Sequence, residues 1–111
     1  MTIQYKSEVF DLITTNLTTV LTISVSAVAI VKTVQASHQD ASNVDVDLYL
    51  KKSGGSDVEV GHAQLNKSME NMIVNTLNLE AGDVIKMQAD TANEVTGAVS
   101  YALIDRSQQN G

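Results

Sequence analysis

Val44, Val46, Leu48 and Leu50 alternate without a break with Asp45, Asp47, Tyr49 and Lys51. Successive side chains of a strand point to opposite faces, so a run patterned with period two is a strand that buries one face and wets the other. The same alternation recurs along the 111-residue chain, and it makes the fold class all-β. Lys52-Ser53-Gly54-Gly55-Ser56 supplies a Gly-rich reversal, after which 57–65 returns as the partner strand. Val58 and Val60 are out of phase there with Ala63 and Leu65, which predicts a bulge near Gly61.

Residues 77–101 form the second organised stretch. Glu80-Ala81-Gly82-Asp83 reads as a reversal, because Gly82 accepts positive φ and Asp83 can bond back to nearby backbone. Ile85, Met87 and Ala89 share one face of the strand that follows. Val95, Gly97, Val99, Tyr101 and Leu103 share one face of the next, and the polar loop 90–94 between them makes the pair read as a hairpin. Upstream, Ala27–Ser37 is the most apolar run, and its β-branched Val28, Ile30, Val31, Thr33 and Val34 would each lose χ1 freedom in a helix. Two apolar faces imply a strand central to its sheet, covered by the partner sheet on one side and by another chain or a loop on the other.

Leu17–Ser24 alternates as a further strand, Glu8–Ile13 alternates imperfectly, and Met72–Leu79 carries Ile73, Leu77 and Leu79 towards the core. Residues 38–43 and 66–69 read as connections, 1–7 as an N-terminal arm lying along a neighbour, and 105–111 as a polar tail. Several short strands joined by turns, with no helical pattern, predict one domain over 1–111. Its expected architecture is a seven- to eight-stranded antiparallel β-sandwich, jelly-roll or immunoglobulin-like.

Thirteen acidic against seven basic residues give a formal charge of −6. The cations Lys6, Lys32, Lys51, Lys52, Lys67, Lys86 and Arg106 are scattered, so no nucleic acid is expected as a partner. The start lacks a basic then apolar leader, and no apolar run reaches the roughly 20 residues of a membrane span, so neither secretion nor a membrane is expected. The chain has no cysteine, which removes disulfides and thiolate metal sites.

Catalytic equipment is equally sparse. Asp45 and Asp47 face the same way and offer two oxygens, but calcium takes about six to eight and no EF-hand spacing completes the set. They read as a solvated outer face, with no metal expected. His38 and His62 are the only bases of neutral pKa, and no nucleophile motif accompanies them, so the chain is expected to be no enzyme and to carry no cofactor. Ser53–Ser56 is too short for a phosphate loop and is followed by no helix. Met69 and Met72 either plug the end of the sandwich or adapt to a partner surface.

The pattern Leu77-Asn-Leu79-Glu-Ala-Gly82-Asp83-Val-Ile85, then Gln88-Ala-Asp-Thr-Ala-Asn93-Glu-Val95, closing on Val99-Ser-Tyr101, resembles small virion structural proteins of tailed bacteriophages. The resemblance extends upstream through Ala29-Ile30-Val31-Lys32-Thr33-Val34 and Val44–Leu50, and covers residues 14–104 in outline. It implies a non-catalytic β-sandwich present in many copies on the virion. A capsid decoration or cement protein bound non-covalently to the outer shell is the favoured form; a neck, collar, tail or fibre-associated component is the alternative. The partners implied are a major capsid protein or other virion proteins, with a homo-oligomer, a trimer by preference, on the capsid exterior after synthesis in the host cytoplasm. The contact residues expected are Ile3, Tyr5, Ala29, Val31, Gly54, Gly55 and Asn93. A different class also fits the residues: a carbohydrate- or calcium-binding module using Asp45, Asp47 and an exposed Tyr49 ring.

Overall fold

The computed structural model, which describes residues 2–37, 43–65, 70–74 and 76–105, turns each alternating run into a strand. In chain order these are β1 (Thr2–Leu12), β2 (Thr18–Thr22), β3 (Ala27–Ser37), β4 (Val44–Lys51), β5 (Asp57–Leu65), β6 (Glu70–Val74), β7 (Leu77–Leu79), β8 (Val84–Ala89) and β9 (Val95–Asp105). One sheet runs β1-β9-β3-β6, with β7 also on β3, and the other runs β2-β8-β4-β5. β6 pairs with Val34–Ser37 and β7 with Ala29–Val31. The expected single strand 72–79 is therefore two short segments that fill one edge position end to end. Every pair is antiparallel, giving a sandwich of two four-position sheets.

The pairing decides between the two architectures. β1 lies on β9, β2 on β8, β3 on β6 and β7, and β4 on β5, which is one long two-stranded ribbon with residues 52–56 at its tip. Wrapped so that successive rungs fall in alternate sheets, such a ribbon is a jelly roll; an immunoglobulin sandwich groups its strands differently. The wrapping also corrects the expected hairpin at 84–101. β8 lies between β2 and β4 while β9 lies between β1 and β3, so the 90–94 loop crosses from one sheet to the other. Alternation tells which face of a strand is apolar and leaves open which sheet the strand joins.

The inner faces meet in an almost wholly aliphatic core. Leu12, Ile23, Leu48, Leu65, Leu79, Ile85 and Met87 are among its fully buried side chains, and Phe10 and Tyr101 are its aromatic members. Ala29 and Val31 belong to it too, at 2% and 0% exposed, which overturns their assignment as partner contacts. Their strand faces inward at Ala27, Ala29 and Val31, and a register shift between Val31 and Thr33 brings Val34 and Ala36 inward as well. The outward face of β3 is instead Val28 and Ile30, both half-buried. A second register shift, between Leu48 and Tyr49, is the bulge expected near Gly61.

The N-terminal arm is also corrected. Residues 2–7 are the first half of β1, bonded within the chain from Thr2 opposite Asp105 to Leu12 opposite Val95. They form a sheet edge. His38, Met69 and the tail beyond Asp105 lie outside the described residues, as do the side chains of Met72 and Ile73.

Gly97 is where the first sheet is tightest. A Cβ there would stand 2.0 Å from the Gln35 carbonyl oxygen and 2.5 Å from the tip of the Phe10 ring. The ring of β1 thus fills the place of the missing side chain between Phe10 and Ala36, the residues opposite Gly97 on either side. Gly97→Ala is expected to destabilise the fold by about 3 kcal/mol, because the backbone oxygen cannot rotate away as a side chain could. Urea denaturation of the two proteins measures it.

Candidate functional site

The outer faces of the two sheets differ in chemistry. On the first, residues of β1 facing away from the core are Ile3, Tyr5 and Val9, which are 56%, 82% and 82% exposed. Register sets them in rows across the sheet: Ile3 beside Ile104 and Val28, Tyr5 beside Ala102 and Ile30, and Val9 beside Ala98. Flanked by Tyr5 and Ile30, Ala102 is only 5% exposed although it points outward. Ser7, Ser100 and Thr33 interrupt the rows. The result is an apolar band across three strands, ending at β1, the free edge of the sheet.

The second sheet turns an acidic face to water. Asp45, Asp47 and Tyr49 project from β4, and β5 sets Gln64, His62 and Glu59 opposite them. His62 Nδ1 is 2.5 Å from Asp47 Oδ1. The hydrogen bond with Asp47 raises the imidazole pKa; burial opposes it, and the charges of Asp47, Asp45 and Glu59 add to the rise. Asp47 raises Glu59 in turn, by a side-chain hydrogen bond first and by charge second. Burial, then the charges of Asp47, Glu59 and Asp57, raises the Tyr49 phenol. Lys86 stands 3.2 Å from Asp57. Sequence reasoning placed Asp45 and Asp47 on this face but did not join His62 and Glu59 to them, because the join depends on a cross-strand register and a bulge.

A third group holds one end of the sandwich together. Asp83, 1% exposed, is the buried charged side chain among the described residues. It accepts hydrogen bonds from Lys52 Nζ at 2.5 Å, the Glu80 amide at 2.8 Å and the Ser53 amide at 3.2 Å. Lys52 also reaches Glu80 at 2.7 Å. Gly82, at a φ of 82°, donates its amide to the Ile23 carbonyl, and the Asp83 carbonyl accepts from the Ile23 amide. The clamp therefore fixes the loop carrying Gly54 and Gly55 against the 80–83 turn and the end of β2. Asn93, at a φ of 64°, lies at the opposite end, its amide donated to the Leu12 carbonyl at 3.1 Å. Of the expected contact residues, Ile3 and Tyr5 share a surface, whereas Gly54, Gly55 and Asn93 sit at two separate ends.

A cleft of about 510 Å³ opens between β1 and β2, lined in part by Lys6, Glu8, Leu21, Tyr101 and Asp105. The Tyr101 hydroxyl donates to Glu8 there at 3.4 Å.

No family model matches the chain, and no curated protein matches it in sequence. Solved structures match it in fold. A chain from the acidic stable capsid structure of Helicobacter pylori bacteriophage KHP30 superposes with a TM-score of 0.61 at 11% identity, over 96% of this chain and 90% of that one. The sandwich is remotely similar to viral capsid proteins. A chain of the infectious bursal disease virus Gx strain gives a TM-score of 0.53 at 6% identity, with 96% of this chain covering 34% of its length. A chain from the Bacillus endospore appendages, described as disulfide-linked pili, gives 0.51 at 13% identity, over 92% and 86% of the two. At such identities the likeness is one of fold. No helix among the described residues is long and apolar enough to cross a membrane.

The clamp makes stability depend on pH. Burial pushes the Asp83 carboxyl up, but the bonds from Lys52, Glu80 and Ser53 outweigh it and hold its pKa below the usual carboxylate value. A pKa lowered by folding contributes stability above the unfolded value of about 4, and that contribution is lost as pH falls through the folded value. Asp83→Ala is expected to cost about 3 kcal/mol at neutral pH, since it strands buried amides. In thermal melts over a pH series, the gap between the wild type and Asp83→Asn should close below about pH 4.

Proposed function

We propose that the chain is a structural protein of a tailed-bacteriophage virion, a decoration or cement protein held non-covalently on the outside of the capsid shell. The observation that carries this reading is the uncovered apolar band of Ile3, Tyr5, Val9, Val28, Ile30 and Ile104 across β1, β9 and β3. Monomeric proteins rarely leave such a band to water unless it meets something. Tyrosine is enriched in the buried centre of protein interfaces, where charged residues are depleted.

The two faces divide the work. The apolar face docks on the shell, and the acidic face of β4 and β5 stays in water, where net negative charge favours solubility. Among the described residues β1 is an edge strand of its sheet, next to the band, and an edge strand is a template for pairing with another chain, so copies adjoin there as a homo-oligomer, a trimer in the arrangement proposed. With no cysteine in the chain, contact has to be non-covalent in the sense of lacking disulfides. The fold shared with a phage capsid chain over nearly its whole length supports the same reading.

Particles purified on a density gradient and quantified by mass spectrometry test it. The chain should be present in a copy number comparable with the main shell protein. A copy number matching the tail components instead would make it a neck or tail adaptor, and absence from particles would end the proposal. Tyr5→Glu and Val9→Glu should each weaken rebinding to stripped particles by about tenfold or more, as loss of a buried interface anchor does, with unchanged melting temperatures.

A further inference from the structure

Asp47 and His62 face each other directly across β4 and β5. Glu59 joins them only through the bulge. Three residues from His62, it would point to the other side of a regular strand, but the register shift between Leu48 and Tyr49 sets it opposite Tyr49, two residues from Asp47 on the same face. Bulges commonly re-aim a side chain in this way. One ligand atom from each of Asp47, Glu59 and His62 lies within 4.8 Å of the others.

We propose that Asp47, Glu59 and His62 form a binding site for a divalent first-row transition ion of the zinc type. An imidazole with two carboxylates is a donor set that zinc accepts, whereas calcium is held by oxygens alone. Zinc bonds of about 2.0–2.2 Å to nitrogen and oxygen put tetrahedral ligand atoms roughly 3.3–3.5 Å apart. All three side chains reach solvent, so rotation about their side-chain bonds closes the remaining distance without moving the sheet. Three protein ligands leave a further position open for water or for a donor from a neighbouring molecule.

The surroundings favour a cation. Asp47 and Glu59 set two carboxylates within 4.8 Å of each other, and an ion between them offsets their mutual repulsion. Asp45, paired beside Asp47, and Asp90, which accepts the Asp45 amide at 3.2 Å, add charge of the same sign. Lys86, the nearby cation, is engaged by Asp57. The site differs from the calcium pair read from the sequence, since Asp45 stands outside the group and His62 and Glu59 complete it. β5 is the edge of its sheet, so a bound ion would clip an edge strand to an interior one.

Isothermal titration of the full chain with zinc chloride, in a buffer that does not chelate, tests the site alongside NMR of the histidine rings. The expected result is one ion per chain, displaced by EDTA, with the His62 ring signals shifted and the melting temperature raised, as for any ligand that binds only the folded state. His62→Ala and Glu59→Gln should each weaken binding by about tenfold or more, in line with losses at metal sites. His38→Ala should leave it unchanged. Metal-free melting temperatures equal to that of the wild type certify that the variants fold. Absence of heat, binding that survives His62→Ala, or tighter binding of calcium than of zinc would overturn the proposal.

Discussion

The carboxylate of Asp83 is buried where the turn before β8, the loop after β4 and the end of β2 converge. A buried charge is costly unless it is paired and hydrogen-bonded, and here one ammonium and two amides do both. The arrangement matters because a jelly roll is a wrapped ribbon. Its tip at 52–56 has to be brought back onto the 80–83 turn, far along the chain, and aliphatic contacts alone do not specify that meeting. One hydrogen-bonded carboxylate does so, beside a core that is otherwise almost wholly apolar.

With the ribbon closed, the two outer faces acquire opposite characters. Between β1 and β3, the chain can bring strands together tightly only because Gly97 carries no side chain and the Phe10 ring occupies its place. The outer side of that same sheet is apolar and reaches the free edge at β1. The outer side of the other is acidic, with the carboxylates of Asp47 and Glu59 gathered around His62 by one extra residue in β5. One outer face is thus apolar and the other anionic, on a fold remotely similar to viral capsid proteins.

Much of this was legible in the residues. Alternation gave the all-β class and located β4, β8 and β9 with their inward sides, and the phase change at Gly61 announced the bulge in β5, whose Val58 and Val60 stay exposed. What was illegible depended on pairing between distant segments. Asp90–Glu94 looks like a hairpin loop but crosses between sheets, because loop composition records a reversal and not its destination. Ala29 and Val31 looked available to a partner because β3 is apolar on both sides, and only the register against β7 and β9 shows which side meets the core. Glu59 and His62 are three apart, a spacing that argues against a shared face until the bulge is known. Residues 2–7 read as an arm, whereas six of the eleven paired positions between β1 and β9 fall in them and hold them in the sheet.

The central claim is that the β1-β9-β3 face docks and the β4-β5 face remains in water. Two tyrosines mark them, Tyr5 on the first and Tyr49 on the second. Hydroxyl-radical footprinting, read by mass spectrometry on the free chain and on particles carrying it, compares the two directly. Labelling of Tyr5 should fall sharply on assembly while that of Tyr49 stays the same. Protection of Tyr49 with Tyr5 unchanged would contradict the account.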